Sequence, residues 1–116
     1  MVRIQTITLD HKIYSLGFKV VTTNLRSLGL RQNPNILQYK IGQWYVLPAE
    51  QIQDGNNDWG GIWAARTMSG AKMLQKYMEK KYDHKTRIFR TALDEIIFSN
   101  QYRIKTKGIN LVEEAF

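Results

Sequence analysis

Apolar and polar residues alternate along the amino-terminal part of the chain, at residues 4–9 and 13–22. A period of two residues is typical of a strand with one buried face. The second stretch places four apolar residues on the same face: Tyr14, Leu16, Phe18 and Val20. Gly17 either weakens that strand or marks a bulge. We therefore expect two strands before residue 23.

The pattern is less regular between residues 23 and 58. Residues 23–30 begin with capping residues and end near a glycine, which predicts one short helical turn. Residues 36–47 predict one or two strands that are broken near Gly42. Residues 49–58 are polar and rich in turn formers, so they form the longest predicted loop.

The most informative unit of the chain is a strand that runs directly into a capped helix. Residues 59–66 predict the strand, and the helix covers about residues 68–82 with Thr67 or Ser69 as its N-cap. Four residues form the inward stripe of this helix: Ala71, Leu74, Tyr77 and Met78. A further strand is predicted at residues 86–91.

The carboxy-terminal part predicts a helical turn and a hairpin. Residues 94–98 start with two acidic residues, which favour the beginning of a helix. Residues 107–108, Lys-Gly, are suited to a two-residue turn between strands at 102–106 and 109–113. In that register three cationic residues project from one face of the hairpin: Arg103, Lys105 and Lys107.

Strands outnumber helices in this prediction, which indicates an α+β fold. We expect a single domain over residues 1–116, with a mixed or antiparallel sheet packed by one main helix and short helical turns. A length of 116 residues and an apolar content of 43% are sufficient for one hydrophobic core.

The chain contains no cysteine, which excludes disulfide scaffolds, thiolate zinc sites and cysteine nucleophiles. Residues 1–8 alternate and lack the continuous apolar stretch of a signal peptide or membrane span. These features favour a cytoplasmic protein that does not enter a membrane. The pattern gives no prediction of oligomeric state.

Positive charge is unevenly distributed along the sequence. Seventeen basic residues against ten acidic residues give a formal charge of +7. Residues 1–60 hold six basic and four acidic residues, whereas residues 61–116 hold eleven and six. A surplus of this kind favours an anionic partner such as nucleic acid, although it also serves solubility alone.

The predicted helix carries three lysines at four-residue spacing, Lys72, Lys76 and Lys80. Glu79 is within helical reach of Lys76, but the other two lysines have no acidic partner at that spacing. Together with cations of the neighbouring strands they define a predicted anion-binding surface: Lys72, Lys76, Lys80, Arg87, Arg90, Arg103, Lys105 and Lys107. Our leading hypothesis is a non-enzymatic module that holds an anionic partner, with nucleic acid as one candidate. The alternative is an ordinary solvated surface.

Tryptophans suggest either a core or a docking surface. Trp59 and Trp63 are four residues apart on a predicted strand, so they share a face that we expect to be buried. One of the adjacent residues Trp44 and Tyr45 must face outward. A third hypothesis is therefore an accessory protein that docks through an apolar patch around Trp44, Tyr45 or Trp59.

Three short blocks of the sequence occur together in a pattern seen elsewhere. They are Phe18-Lys19-Val20-Val21 before Asn24-Leu25-Arg26-Ser27, then Tyr39-Lys40-Ile41-Gly42-Gln43-Trp44, and Gly60-Gly61-Ile62-Trp63 before Thr67 and Ala71-Lys72. The pattern resembles that of small uncharacterised bacterial and phage domains over about residues 13–92. This resemblance implies a strand-rich fold with one alanine-rich helix start, and it implies no catalytic residues.

A weaker resemblance is to ADP-ribosyltransferase-like folds, which grip a nicotinamide dinucleotide between two sheets. Those folds use an early Arg or His, a Ser or Thr on a strand, and a late Glu. The order is matched here by Arg26, Ser27 and either Glu113 or Glu114. This alternative implies an enzyme with a concave pocket lined by Arg26, Ser27 and the late carboxylate. Trp59 and Trp63 are further candidates for the pocket.

Other catalytic chemistry has little support in the sequence. His11 and His84 lack a second ligand at metal spacing, so we expect no metal site. No serine lies in a glycine-flanked elbow, and Gly60-Gly61 does not complete a phosphate-binding or dinucleotide motif. We therefore expect no cofactor. The carboxylates lie where loops, helix starts or the chain end account for them: Asp54, Asp58, Asp94, Glu95, Glu113 and Glu114.

Overall fold

The structure is a computed structural model that describes residues 4–28, 36–55 and 60–115. Its strands are β1 (Thr6–Leu9), β2 (Lys12–Thr22), β3 (Trp44–Val46), β4 (Ile62–Ala65), β5 (Thr86–Leu93), β6 (Ile96–Ser99), β7 (Arg103–Thr106) and β8 (Gly108–Ala115). One helix, α1 (Met68–Tyr82), and a short 3-10 helix at Ala49–Gln51 complete the described elements. The fold is α+β, and all the strand pairs of the described sheet are antiparallel.

The last four strands form one long hairpin rather than the two shorter units predicted from the sequence. Residues 86–99 pair with residues 103–115 along almost their whole length. The reversal is at residues 100–102, where the side-chain oxygen of Asn100 accepts hydrogen bonds from the amides of Tyr102 and Arg103, both at 2.9 Å. The predicted hairpin turn at residues 107–108 is therefore wrong, because those residues lie within one arm of the hairpin.

The long hairpin bends sharply in its middle. At the bend the amide of Asp94 donates to the carbonyl of Gly108 at 2.9 Å, and the amide of Lys107 donates to the carbonyl of Glu95 at 3.0 Å. The Thr106 hydroxyl adds a bond to the same Glu95 carbonyl at 2.8 Å. Residues 94–98, predicted as a helical turn, instead form the bend and strand β6, because their amides and carbonyls pair across the hairpin.

This bend closes the sheet on itself. The strand order is β3-β8-β5-β2-β4-β7-β6, so the two arms of one hairpin contribute strands to both sides of β2. Because β7 and β8 belong to the same arm, the pairings β2–β5, β5–β8, β7–β4 and β4–β2 form a closed circuit. The sheet therefore curls around an interior instead of remaining flat.

Strand β2 is the centre of this curl. It pairs with β5 from Ser15 to Thr22, whereas its only registered pair with β4 is Phe18 with Ala65. Gly17 is not a bulge, because the pairing of β2 with β5 runs through it without a register shift. It allows a close approach instead, since a Cβ at this position would lie 2.9 Å from a methyl group of Leu93. Strands β2 and β4 therefore touch at one point and are not joined along their length.

Two apolar clusters form the core. The larger one fills the inside of the curl and includes Val21, Phe89, Ile104 and Leu111. The smaller one lies on the outer face, where Ala71 packs against residues of β2 and β5. Helix α1 covers this outer face, and the side chains of the larger cluster fill the space inside the curl.

The helix confirms the local prediction. It covers residues 68–82, and the Thr67 hydroxyl accepts a hydrogen bond from the amide of Gly70 at 3.1 Å. Ala71 and Met78 are buried as predicted, whereas Tyr77 is 44% exposed at the edge of the helix. No helix among the described residues is both long and apolar enough to span a membrane.

Several irregular segments differ from the predicted elements. Residues 23–28 form turns and one bridge between Arg26 and Gln38, not a helical turn, and the rest of that predicted turn lies outside the described residues. Of residues 36–47 only Trp44–Val46 form a strand. Strand β4 begins at Ile62, and Trp59 also lies outside the described residues.

Candidate ligand-binding cavity

A cavity of about 790 Å³ opens where strands β2 and β4 separate. Its walls come from these two strands, from helix α1 and from the segments around Ser27 and Tyr39. Most of the described lining is apolar, and Phe18, Ile62 and Leu74 represent the three main elements. A concave, largely apolar space of this volume is typical of a site for a small organic molecule.

Lys19 supplies a cation at the point where the two strands separate. Its ammonium group donates a hydrogen bond to the carbonyl oxygen of Trp63 at 2.6 Å. In a regular sheet, a backbone amide of β2 would donate to a carbonyl of β4. Here the Lys19 side chain donates to the Trp63 carbonyl instead. Because burial disfavours the charged form, the pKa of Lys19 is lowered to about 8. Lys19 therefore lines the cavity as an amine that is partly neutral near physiological pH.

A second cation lies at the carboxy-terminal end of helix α1. The Lys81 ammonium donates to the Tyr77 hydroxyl at 3.0 Å and lies 5.3 Å from the centre of the Tyr77 ring and 5.6 Å from that of Tyr82. The hydrogen bond to Tyr77 raises the pKa of Lys81. All three side chains line the cavity, so this edge is both aromatic and positively charged.

A third cation comes from strand β7, which pairs with β4. The guanidinium carbon of Arg103 lies 4.0 Å from the centre of the Trp63 ring, which itself packs edge-on against Phe98 at 6.1 Å. Stacking holds the guanidinium plane against the tryptophan and fixes its direction. The described lining residues thus include the cations Lys19, Lys81 and Arg103 but no carboxylate.

Tyr39 contributes a buried polar group to the wall. Its ring packs edge-on against Tyr45 at 5.3 Å, and its hydroxyl has no hydrogen-bond partner among the described residues. Burial raises the pKa of Tyr39, so the hydroxyl remains protonated at any physiological pH. The wall therefore retains an unused polar atom beside apolar surface.

The predicted anion-binding surface is divided by the structure. Lys72, Lys76 and Lys80 are exposed on α1. Two arginines of β5 are instead compensated: Arg87 pairs with Glu114 at 2.8 Å, and Arg90 lies 3.5 Å from Glu113. The hydrogen bond to Arg87 lowers the pKa of Glu114. Arg103 stacks on Trp63, and Lys107 is only half-buried within the bend of the hairpin.

Lys105 is a correction to the predicted surface, because its side chain is 0% exposed. Its ammonium donates to the carbonyls of Gln53 at 2.7 Å and Gly55 at 3.2 Å. Its stem packs so tightly on Gly61 that a Cβ there would lie 2.4 Å from the Lys105 side chain. The prediction failed because it placed β7 at the edge of a two-stranded hairpin, whereas β7 has β4 on one side and β6 on the other.

The residues of the predicted nucleotide pocket are only partly brought together. Ser27 and Trp63 line the cavity, whereas Arg26 donates to the side-chain oxygen of Gln38 at 2.9 Å. The Ser27 hydroxyl accepts a hydrogen bond from the Leu37 amide at 2.7 Å. Glu113 and Glu114 are the partners of the β5 arginines, and the ADP-ribosyltransferase-like alternative stays a prediction.

The aromatic residues proposed for docking are packed against neighbours. Trp44 lies 5.0 Å from Tyr14, and Tyr45 contacts Tyr39.

Both histidines, His11 and His84, are exposed. Within residues 4–28, 36–55 and 60–115, no group of three or more His, Asp or Glu side chains is placed to hold a metal ion.

Sequence reasoning missed Lys19 and Lys81 as candidate site residues. A lysine between Phe18 and Val20 in an apolar strand was the available signal, because a charge in such a strand needs a specific partner.

Comparison with known proteins finds no matching family model, no similar curated protein and no similar solved structure. The resemblance to bacterial and phage domains therefore stays a prediction.

Proposed function

We propose that this protein binds a small organic anion that has an apolar body and one negatively charged group. The supporting observation is the cavity of about 790 Å³, whose described lining combines apolar side chains with three cations and no carboxylate. Burial of the ligand's apolar surface would supply most of the affinity, at about 25 cal/mol per Å² before the costs of association. The cations would then determine which end of the ligand lies at the edge.

The arrangement of the cations supports an anionic group over a neutral one. Lys19, Lys81 and Arg103 come from three different elements and all line the same space. A charge–charge attraction is stronger beside apolar walls than in bulk water, because the surrounding dielectric response is weaker. A neutral ligand of the same shape would fill the cavity but leave the Lys19 charge uncompensated.

Calorimetric titration with decanoate and with its neutral analogue decanamide tests this function. We expect saturable binding of decanoate and an affinity for decanamide that is about tenfold weaker, a difference of about 1.4 kcal/mol. Lys81→Glu should weaken decanoate binding by a similar factor. Lys80→Glu is the matched control, since it makes the same charge change at the next residue, outside the described lining.

Two results would contradict the proposal. One is the absence of saturable decanoate binding to the folded wild-type protein. The other is an equal loss of affinity in the Lys81 and Lys80 variants, which would show that total charge rather than the cavity attracts the ligand. Circular dichroism of each variant establishes that the helix is intact before the titration is interpreted.

A second candidate function, phosphate-backbone binding, is favoured by the exposed lysines of α1. Lys72, Lys76 and Lys80 share a solvent-facing stripe, and the structure shows no ion pair for them among the residues it describes. Three phosphate contacts would give a salt dependence with a slope of about −3 for duplex DNA and about −2 for single strands. Electrophoretic mobility shifts with DNA and RNA across a salt series measure this slope, and no binding at low salt would remove the candidate.

The cytoplasmic location stays a prediction.

A further inference from the structure

Lys19 differs from the other described cations of the cavity in its chemistry as well as its position. An ordinary lysine is almost fully protonated at neutral pH and is therefore a poor nucleophile. Burial lowers the pKa of Lys19 to about 8, so about a tenth of its amines are neutral at pH 7. The described lining around this amine has no carboxylate to hold a proton on it.

The geometry also provides a partner for the amine and space for a reactant. The carbonyl of Trp63 fixes the amine nitrogen at 2.6 Å, and both residues line the cavity. The hydrogen bond to Trp63 needs only one N–H group of the Lys19 amine. The cavity of about 790 Å³ then holds the apolar part of a molecule whose reactive carbon meets the nitrogen.

We propose that Lys19 is a covalent attachment site that forms a reversible imine with an apolar aldehyde bound in the cavity. The neutral amine attacks the carbonyl carbon, and the resulting carbinolamine loses water to leave a carbon–nitrogen double bond. No oxidant or reductant is required, because the aldehyde oxygen leaves as water. When protonated, the imine keeps one N–H group, which donates to the Trp63 carbonyl as the lysine did. The inference rests on the proposed function only in requiring that a small apolar molecule enters the cavity.

Reductive trapping tests the inference on the full chain. The protein is incubated at pH 7 with decanal or with propanal, reduced with sodium cyanoborohydride, digested and mapped by mass spectrometry. We expect decanal to modify Lys19 at least about tenfold faster than exposed Lys12 of the same strand, because about a tenth of the Lys19 amine is neutral and the cavity holds the aldehyde beside it. Unfolding the protein in urea should abolish this difference.

Chain length and substitution separate the cavity from ordinary amine reactivity. Lys19 should favour decanal over propanal, whereas Lys12, which is exposed and does not line the cavity, should show no such preference. Lys19→Arg should remove the major adduct and Lys12→Arg should leave it unchanged. Labelling of Lys19 no faster than Lys12, or without preference for the longer aldehyde, would overturn the inference.

Decanoate distinguishes this inference from the proposed function. If decanoate binds and protects Lys19 from decanal, the anion-binding function and the imine at Lys19 are both supported. If decanoate binds but Lys19 is not modified selectively, only the imine is excluded. If Lys19 is modified selectively but decanoate does not bind, the cavity accepts apolar aldehydes and the anion-binding function fails.

Discussion

Two lysines of the sheet, Lys19 and Lys105, both donate hydrogen bonds to backbone carbonyls, but their surroundings differ. Lys105 is fully buried, bonds two carbonyls of the loop around residues 53–55 and has its stem against Gly61. Lys19 bonds a single carbonyl, that of Trp63, and lines a cavity of about 790 Å³. The first site is filled by the protein itself, and the second leaves space beside the cation.

The difference indicates that a lysine among apolar residues has two distinct uses. At Lys105 the ammonium attaches an irregular loop to the sheet through its hydrogen bonds to the carbonyls of Gln53 and Gly55. At Lys19 the ammonium fills a gap between strands that touch only at Phe18 and Ala65. We therefore expect Lys105 to matter mainly for stability and Lys19 mainly for binding.

The largest expected effect is on stability, from Lys105→Met. The substitution removes two hydrogen bonds that a fully buried ammonium donates to the carbonyls of Gln53 and Gly55. Hydrogen bonds from a charged donor contribute about 1.5 to 3 kcal/mol each, so the free energy of unfolding should fall by about 3 to 4 kcal/mol. Lys19→Met, which removes a partly desolvated charge, should change it by less than about 1 kcal/mol at pH 7. Urea unfolding followed by circular dichroism measures both, and equal losses would remove the distinction.

The pH dependence of stability should come next in size. The pKa of Lys19 is about 8 in the folded protein, below the ordinary value of 10.5, so the unfolded state binds more protons between these values. Stability of the wild type relative to Lys19→Met should therefore rise from about pH 8 to pH 10.5, by about 2 to 3 kcal/mol. Urea midpoints of the two proteins across this range test it. Lys12→Met is the matched control at an exposed site. A Lys19→Met variant whose stability runs parallel to that of wild type across this range would contradict the shift.

A smaller effect is expected from crowding the Lys105 stem. In Gly61→Ala the added methyl group would lie 2.4 Å from the fully buried Lys105 side chain, and the cost should be about 1 to 2 kcal/mol. Gly70→Ala is the matched control, since its Cβ meets its nearest neighbour at 3.3 Å and alanine favours a helix. Thermal unfolding compares the two. A tolerated Gly61→Ala would show that the Lys105 site is less filled than the structure indicates.

The elements that depend on local sequence could be predicted, and the contacts between distant segments could not. The helix at residues 68–82 and its Thr67 cap follow from spacing and capping within a few residues. The true reversal had a signal in Asn100, but the Lys-Gly pair at residues 107–108 was a stronger turn signal. Closure of the sheet depends on a bend whose hydrogen bonds join Glu95 to Lys107, and no local pattern encodes that pairing.

The candidate site was less predictable for the same reason. Spacing correctly placed Lys72, Lys76 and Lys80 on the helix surface. It assigned Lys105 to a solvated face because strand alternation gives two faces and does not say which one a loop covers. Lys19 was assigned no role, since the separation of β2 from β4 that gives it a cavity arises only in three dimensions.

Titration of the Lys19 side chain by nuclear magnetic resonance, with and without decanoate, tests most directly whether a ligand reaches this amine. The free protein should show a midpoint near 8, and decanoate should raise it, because a nearby anion favours the protonated form. An ordinary midpoint near 10.5 that decanoate leaves unchanged would contradict the proposed cavity site.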